Sequence, residues 1–461
     1  MRLGITVTIC ALSICTIPVV DAFGGGILPE HSSFTLANGL QVILVEDHRW
    51  PILEYSMLFK TGSAVDSARI CGLAGVTMEM LKEGAEKFPG GALIEAIDSV
   101  GGLITFDTRQ YALFIKGSFL ARDEELALQL VAQMVTAPKF DEEGLDRLKK
   151  RYDSVIMQVN SVARYRLIHK LYGSIYGDDG YGLPSSGTRA GIRRIELDDV
   201  RSFYERNVRP NNAALVIAGD FKAGDVKKLI KKLFSKWEKG TDFSRPIANQ
   251  SIPDSLRIII LDNPEAASSE FMIGRPAVPS LSEAVPAFIL LDYLLGGAGE
   301  ISRLSRCLIR QHALATTISS SIDWSTGDGM LSIYGGATNE MTAEAIRQVL
   351  ATLQDLRNIR VPAGELGDAK SHFRGEMAGY FQNPSRTVNM LSRIISLNLK
   401  LNFHDQLLKQ FDSVDPGVIR KTAQKFLDEN HLTVVVMGPE DILRRGLSEL
   451  GQVEVISTGR N

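Results

Sequence analysis

A chain of 461 residues exceeds one ordinary hydrophobic core and suits two or more domains. With 44% hydrophobic and 23% charged residues, its composition is that of an ordinary globular protein. A net charge of -3 excludes an electrostatic case for nucleic acid or an anionic membrane surface as partner.

The N-terminus reads as a targeting segment. Arg2 supplies a positive start, an apolar run covers residues 3–20, and Val20-Asp21-Ala22 forms a small-x-small cleavage site. Residues 1–22 are therefore expected to be a signal peptide, with Phe23 as the first mature residue. Thr6, Thr8, Ser13, Thr16 and Pro18 interrupt the run and weaken a membrane-anchor reading, so no span is expected in the mature chain. The expected location is outside the cytoplasm, in the periplasm if the source is Gram-negative. Cys10 and Cys15 leave with the signal. Cys71 and Cys307 remain, far apart and beside apolar helical stretches, and read as two buried thiols although one disulfide is permitted.

Asn38-Gly39 is a hairpin turn between apolar runs, returning through a strand at 41–45. A strand at 52–61 leads to helical patterns at 72–82 and 89–100, then to a strand pair at 103–107 and 111–119. Several helices run from 122 to about 207, and a strand at 213–218 stops at Gly219-Asp220. The second half repeats this order. Strands are predicted at 257–261 and 270–274, helices at 284–295 and 302–311, and a strand pair at 317–322 and 330–334. Helices at 342–359, 363–381, 385–399 and 416–427 precede a strand at 432–437. The two late strands, each ending at a glycine, point to a duplication with a period of roughly 220 residues. The polar stretch 239–253 reads as the linker, giving domains at 30–240 and 255–461 with 241–254 between them. The expected class is α+β: two homologous domains, each an antiparallel-rich mixed sheet with helices packed on one face.

The stretch Gly72-Leu73-Ala74-Gly75-Val76-Thr77-Met78-Glu79-Met80-Leu81 followed by Gly84 carries the most information. It resembles the metal helix of the M16 (insulinase, pitrilysin-like) zinc peptidases, which reads Gly-Leu-Ala-His-x-x-Glu-His-Met-Leu-x-x-Gly. The chemistry of that motif needs two imidazoles four residues apart on one helical face and a Glu to activate the bound water. Here those positions are Gly75, Met78 and Glu79. Gly75 has no side chain, Met78 offers a poor ligand and no base, and one carboxylate does not hold a catalytic ion. The resemblance extends to Lys60-Thr61-Gly62-Ser63-Ala64, to Arg209-Pro210-Asn211-Asn212 with Gly219-Asp220, and to Asp262-Asn263-Pro264-Glu265-Ala266. It places the family's third zinc ligand near Val159, and the Arg and Tyr that grip the substrate backbone at Ile309 and Thr316, with Arg310 adjacent. No catalytic, cofactor-binding or metal residue is therefore predicted.

The resemblance implies a two-domain M16 fold and a non-catalytic homologue, inactive by itself. It would form a heterodimer with an active homologue around an extended peptide substrate, with zinc expected only in that partner. Two alternatives stand beside it: a self-associating periplasmic peptide-binding or chaperone-like protein, and a diverged metallopeptidase using Glu79 and Glu83 with unconventional ligands. Lone histidines such as His169, His312 and His372 read as structural. Gly296-Gly297-Ala298-Gly299 is either an anion cradle or, as the family has at this place, a flexible loop.

Overall fold

The computed structural model describes residues 26–178, 180–246, 248–324 and 329–457. The expected signal peptide, its cleavage site, Cys10 and Cys15 lie outside the described residues.

Among the described residues the strands form two six-stranded sheets. The first contains β1 (Ser32–Thr35), β2 (Gln41–Glu46), β3 (Ile52–Phe59), β4 (Leu103–Thr108), β5 (Leu113–Leu120) and β6 (Ala213–Gly219), in the order β1-β2-β6-β3-β5-β4. The second contains β7 (Arg257–Asp262), β8 (Ser269–Pro276), β9 (Thr317–Asp323), β10 (Met330–Ala337), β11 (Thr433–Gly438) and β12 (Gln452–Ser457), in the order β12-β7-β11-β8-β10-β9. The duplication is visible strand by strand. β2 runs parallel to β6 as β7 runs parallel to β11, and both late strands pair antiparallel to the strand on their other side. The halves differ at one edge. The first sheet ends in the β1–β2 hairpin, whereas the second ends in β12, parallel to β7. The α+β class expected from sequence is the observed one.

Every residue of β6 and β11 is buried. Strands covered on both faces become continuous apolar runs, which is how these two read in the sequence. Each sheet carries its own helices on one face. Leu128, Val131, Phe203 and Phe234 cover the first, and Phe288, Val349, Leu353 and Phe411 cover the second.

The opposite face of each sheet is covered from the other half of the chain. The Ala163–Tyr176 helix lays Leu167, Leu171 and Ile175 against Ile259, Met272 and Val435 of the second sheet. The Pro384–Ser396 helix lays Val388, Leu391 and Ile395 against Ile43, Leu58, Phe114 and Val216 of the first. The halves thus exchange one helix each.

Cys71 is a buried free thiol, and Cys307 is free but only half-buried, so full burial of both thiols is not what the fold shows.

Candidate functional site

The Leu73–Met80 helix begins at Gly72, whose φ of 107° is open to glycine and costly for other residues. A Cβ there would also meet Ile192 Cγ1 at 2.8 Å. The buried Asp66 carboxylate accepts from Gly72 N at 3.0 Å and Ala74 N at 3.1 Å, satisfying amides that the first helical turn leaves free. Burial pushes its carboxyl up to about 7, against the hydrogen bonds from Gly72, Ala74 and Leu73 that favour the charged form.

The helix presents the motif positions to different surroundings. Gly75 is buried, and a Cβ on it would meet Tyr152 Oη at 3.2 Å and Thr108 Oγ1 at 3.8 Å. Met78 is fully buried in the first core. Glu79 Oε2 lies 2.6 Å from Arg151 Nη2. One turn on, Glu83 Oε2 lies 2.8 Å from Arg147 Nη2. Both arginines project from the Glu142–Ser161 helix, whose N-terminus is capped by Asp141 accepting from Gly144 N. Tyr152 belongs to the same helix, and burial beside Glu79 raises its phenol well above the ordinary range, so it stands there as a neutral group. Val159 is half-buried and lies two turns further along that helix, about 10 Å from Tyr152 along the axis.

These residues do not fit a zinc ion. The first motif position offers no donor, and the phenol of Tyr152 stands where a side chain would project. The second is a thioether sealed in the core. The third is a carboxylate already held by a guanidinium, which would repel a second cation. No three His, Cys, Asp or Glu side chains cluster at metal-binding range among the described residues.

The two grip positions are also occupied by inert groups. Ile309 packs half-buried against the second core. Thr316, just before β9, donates from Oγ1 to Gly336 O at 3.1 Å. Arg310 is paired with Glu300 at 2.9 Å.

The second half holds an open space where the first half is filled. After β3 the chain enters the Leu73–Met80 helix, which packs on β4 and on the Glu142–Ser161 helix. After β8 it enters the Val285–Asp292 helix and its continuation Tyr293–Gly297, which pack on β9 and on the Ala363–Ala378 helix. At this equivalent place lies a cavity of about 630 Å³. Asp292, Tyr293, Ser320, His372 and Phe373 line it, together with residues of the exchanged Pro384–Ser396 helix. Gly297 lines it beside Asp292, whose carboxylate disfavours the anion cradle considered from sequence.

Sequence reasoning missed Asp66, Arg151, Tyr152 and Asp292. One signal was present for the arginines. Glu79 and Glu83 stand four residues apart on one helix, and Arg147 and Arg151 stand four apart on another. Burial holds the His169 imidazole down to about 4.

Residues 41–189 match the family model described as "Insulinase (Peptidase family M16)", and residues 194–373 match "Peptidase M16 inactive domain". Among curated relatives, the "Non-peptidase homolog YmxG" of Helicobacter pylori is 21% identical over 397 residues, spanning 86% of this chain and 91% of the relative. The "Zinc protease PqqE" of the same organism is 23% identical over 439 residues, spanning 89% and 94%. Among solved structures, a peptidase M16 inactive domain from Pseudomonas fluorescens superposes with a TM-score of 0.82 at 21% identity, covering 89% of this chain and 98% of that one.

Proposed function

Given that this chain belongs to the M16 (insulinase) peptidase family, we propose that it is the non-catalytic subunit of an exported M16 peptidase, paired with an active homologue. The observation that carries this reading is the closed motif slot, in which Arg151 neutralises Glu79 and Tyr152 stands against Gly75. The fold is retained while the slot is closed by an ion pair and a phenol, so what remains for the chain to contribute is surface. The similarity of this chain to both a non-peptidase homologue and a zinc protease of one organism supports pairing between the two kinds. The active subunit would supply zinc and the water-activating base. This chain would stabilise it by mass action and line part of the space around an extended peptide.

Co-expression with a homologue that retains His-x-x-Glu-His is the test. The two chains are expected to co-purify and to hydrolyse unfolded peptide. This chain alone is expected to carry well under one zinc per molecule and to cleave nothing. Stoichiometric zinc on the isolated chain, lost on Glu79→Ala, overturns the reading. A stable self-associated protein that ignores the homologue but retains peptides supports the stand-alone binding alternative instead. Export is tested separately by N-terminal sequencing of the periplasmic fraction. Phe23 is the expected first residue, and Met1 on membrane-bound protein contradicts it.

A further inference from the structure

The carboxylates of Glu79 and Asp292 occupy corresponding slots, between the helix that follows β3 or β8, the fourth strand in each sheet order, and the long helix packed across it. In the first slot the chain supplies its own cation, Arg151. In the second, the facing Ala363–Ala378 helix presents His372, Phe373 and Glu376, and Ser320 Oγ donates to Asp292 Oδ1 at 2.6 Å. Burial and that hydroxyl are the influences on the Asp292 carboxyl, which burial pushes up to about 6. No cationic side chain among the described residues acts on it. A desolvated carboxylate without a counter-ion is costly, and such groups cluster at functional sites.

The surroundings suit a cation on an apolar body. The rings of Tyr293, His372 and Phe373 form a contiguous cluster, with centroids 4.6 Å, 5.4 Å and 5.5 Å apart. Electron-rich ring faces attract ammonium and guanidinium groups. The helix also widens here, with Ala298 N donating to Tyr293 O at 3.0 Å, a local distortion frequent at functional sites. The space, at about 630 Å³, lies within the range of small-molecule sites. Its other end is set against a cation, because Arg393 lines it; burial first, and Arg393 after it, depress the imidazole of His404 there, whose Nδ1 is buried without a hydrogen-bond partner among the described residues. Glu376 lies between, with His372 Nε2 at 3.5 Å and Tyr380 Oη at 3.3 Å.

We infer that this cavity binds an organic cation, an ammonium or guanidinium carried on an apolar body, with Asp292 as its counter-ion and the Tyr293–Phe373 cluster along its flank. The charged end sits where Arg151 sits in the first half, and the apolar body runs toward Met390 and Ile394. Those two residues belong to the exchanged helix, so the ligand touches both halves of the chain. The inference does not rest on pairing with an active subunit.

Three probes of one shape and different charge test it by calorimetry on the mature chain: 4-phenylbutylamine, 4-phenylbutanol and 4-phenylbutyrate. The amine is expected to bind about tenfold more tightly than the alcohol, the scale of a charge-assisted hydrogen bond, and the carboxylate least tightly. Asp292→Asn is expected to bring the amine down to the alcohol and leave the alcohol unchanged. Arg393→Gln should leave the amine unchanged or slightly tighter. The ranking on the unaltered protein decides the matter even where Asp292→Asn does not fold. Tightest binding of the carboxylate, lost on Arg393→Gln, overturns the inference in favour of an anion site. Equal binding of all three, or none, reduces the cavity to an apolar void and overturns it as well.

Discussion

In the first half of the molecule the slot beneath the Glu142–Ser161 helix is closed by an arginine and a tyrosine of the same chain; in the second half the corresponding slot, beneath the Ala363–Ala378 helix, stays open around an aspartate that, among the described residues, has a hydroxyl but no cation as partner. The strands, their order and their pairings agree closely between the halves. The difference lies in a few side chains on one long helix: Arg151 and Tyr152 in the first half, His372, Phe373 and Glu376 in the second. A duplicated backbone tolerates opposite fates for one pocket, because filling or emptying it changes packing locally and leaves the hydrogen-bonded ladders intact.

The largest effect should come from forcing the closed slot back toward the motif. Met78→Glu places a carboxylate in a fully buried core position, and a loss of about 4 kcal/mol is expected by chemical denaturation. Tolerance within about 1 kcal/mol would mean that the first slot is as open as the second. Next come the exchanged helices. Leu171→Ala and Leu391→Ala each remove a fully buried leucine from the sheet of the opposite half, and each should cost about 3 kcal/mol. Unequal losses would show that one half leans on the other more than the reverse.

Asp66→Ala removes the carboxylate that caps the Leu73–Met80 helix and should cost about 1–2 kcal/mol. Its pH dependence has a definite sign. The native carboxyl titrates near 7, above its unfolded value of 3.8, so the folded state holds the proton more tightly. The stability from this group is therefore fullest below about pH 4 and declines as pH rises through about 7. Asp66→Asn should flatten that slope, as followed by denaturation midpoints across the same interval. The smallest effect is expected from Arg151→Met. Its side chain is half exposed, and such ion pairs contribute under about 1 kcal/mol. A larger loss would mark the pair as a structural keystone of the closed slot.

Much of this was legible in the residues. The helix predicted at 72–82 is observed at Leu73–Met80, and the strands at 213–218 and 432–437 are observed as β6 and β11. Their signals are local: a glycine that starts a helix, and apolar runs that end at glycine. The helix predicted at 302–311 is instead split into Arg303–Ser305 and the wider-turned Arg306–Gln311, a hydrogen-bonding change that apolar periodicity does not report. β12 escaped because Gln452–Ser457 alternates at a partly exposed sheet edge, where little apolar surface is required. The exchange of helices was not legible at all. An amphipathic pattern says that a face is buried, not which sheet buries it. Tyr152 and Arg151 were hidden for a related reason, since their roles depend on the register between two helices far apart in sequence.

The exchange also bears on how the chain is made. During synthesis from the N-terminus, the first sheet can assemble once β6 has left the ribosome, yet Ile43, Leu58, Phe114 and Val216 remain bare until residues 384–396 follow. A nascent chain halted between those points would present an apolar sheet face to its surroundings, the kind of surface that aggregates or recruits chaperones. The first half therefore reaches its native state only after most of the second has been translated.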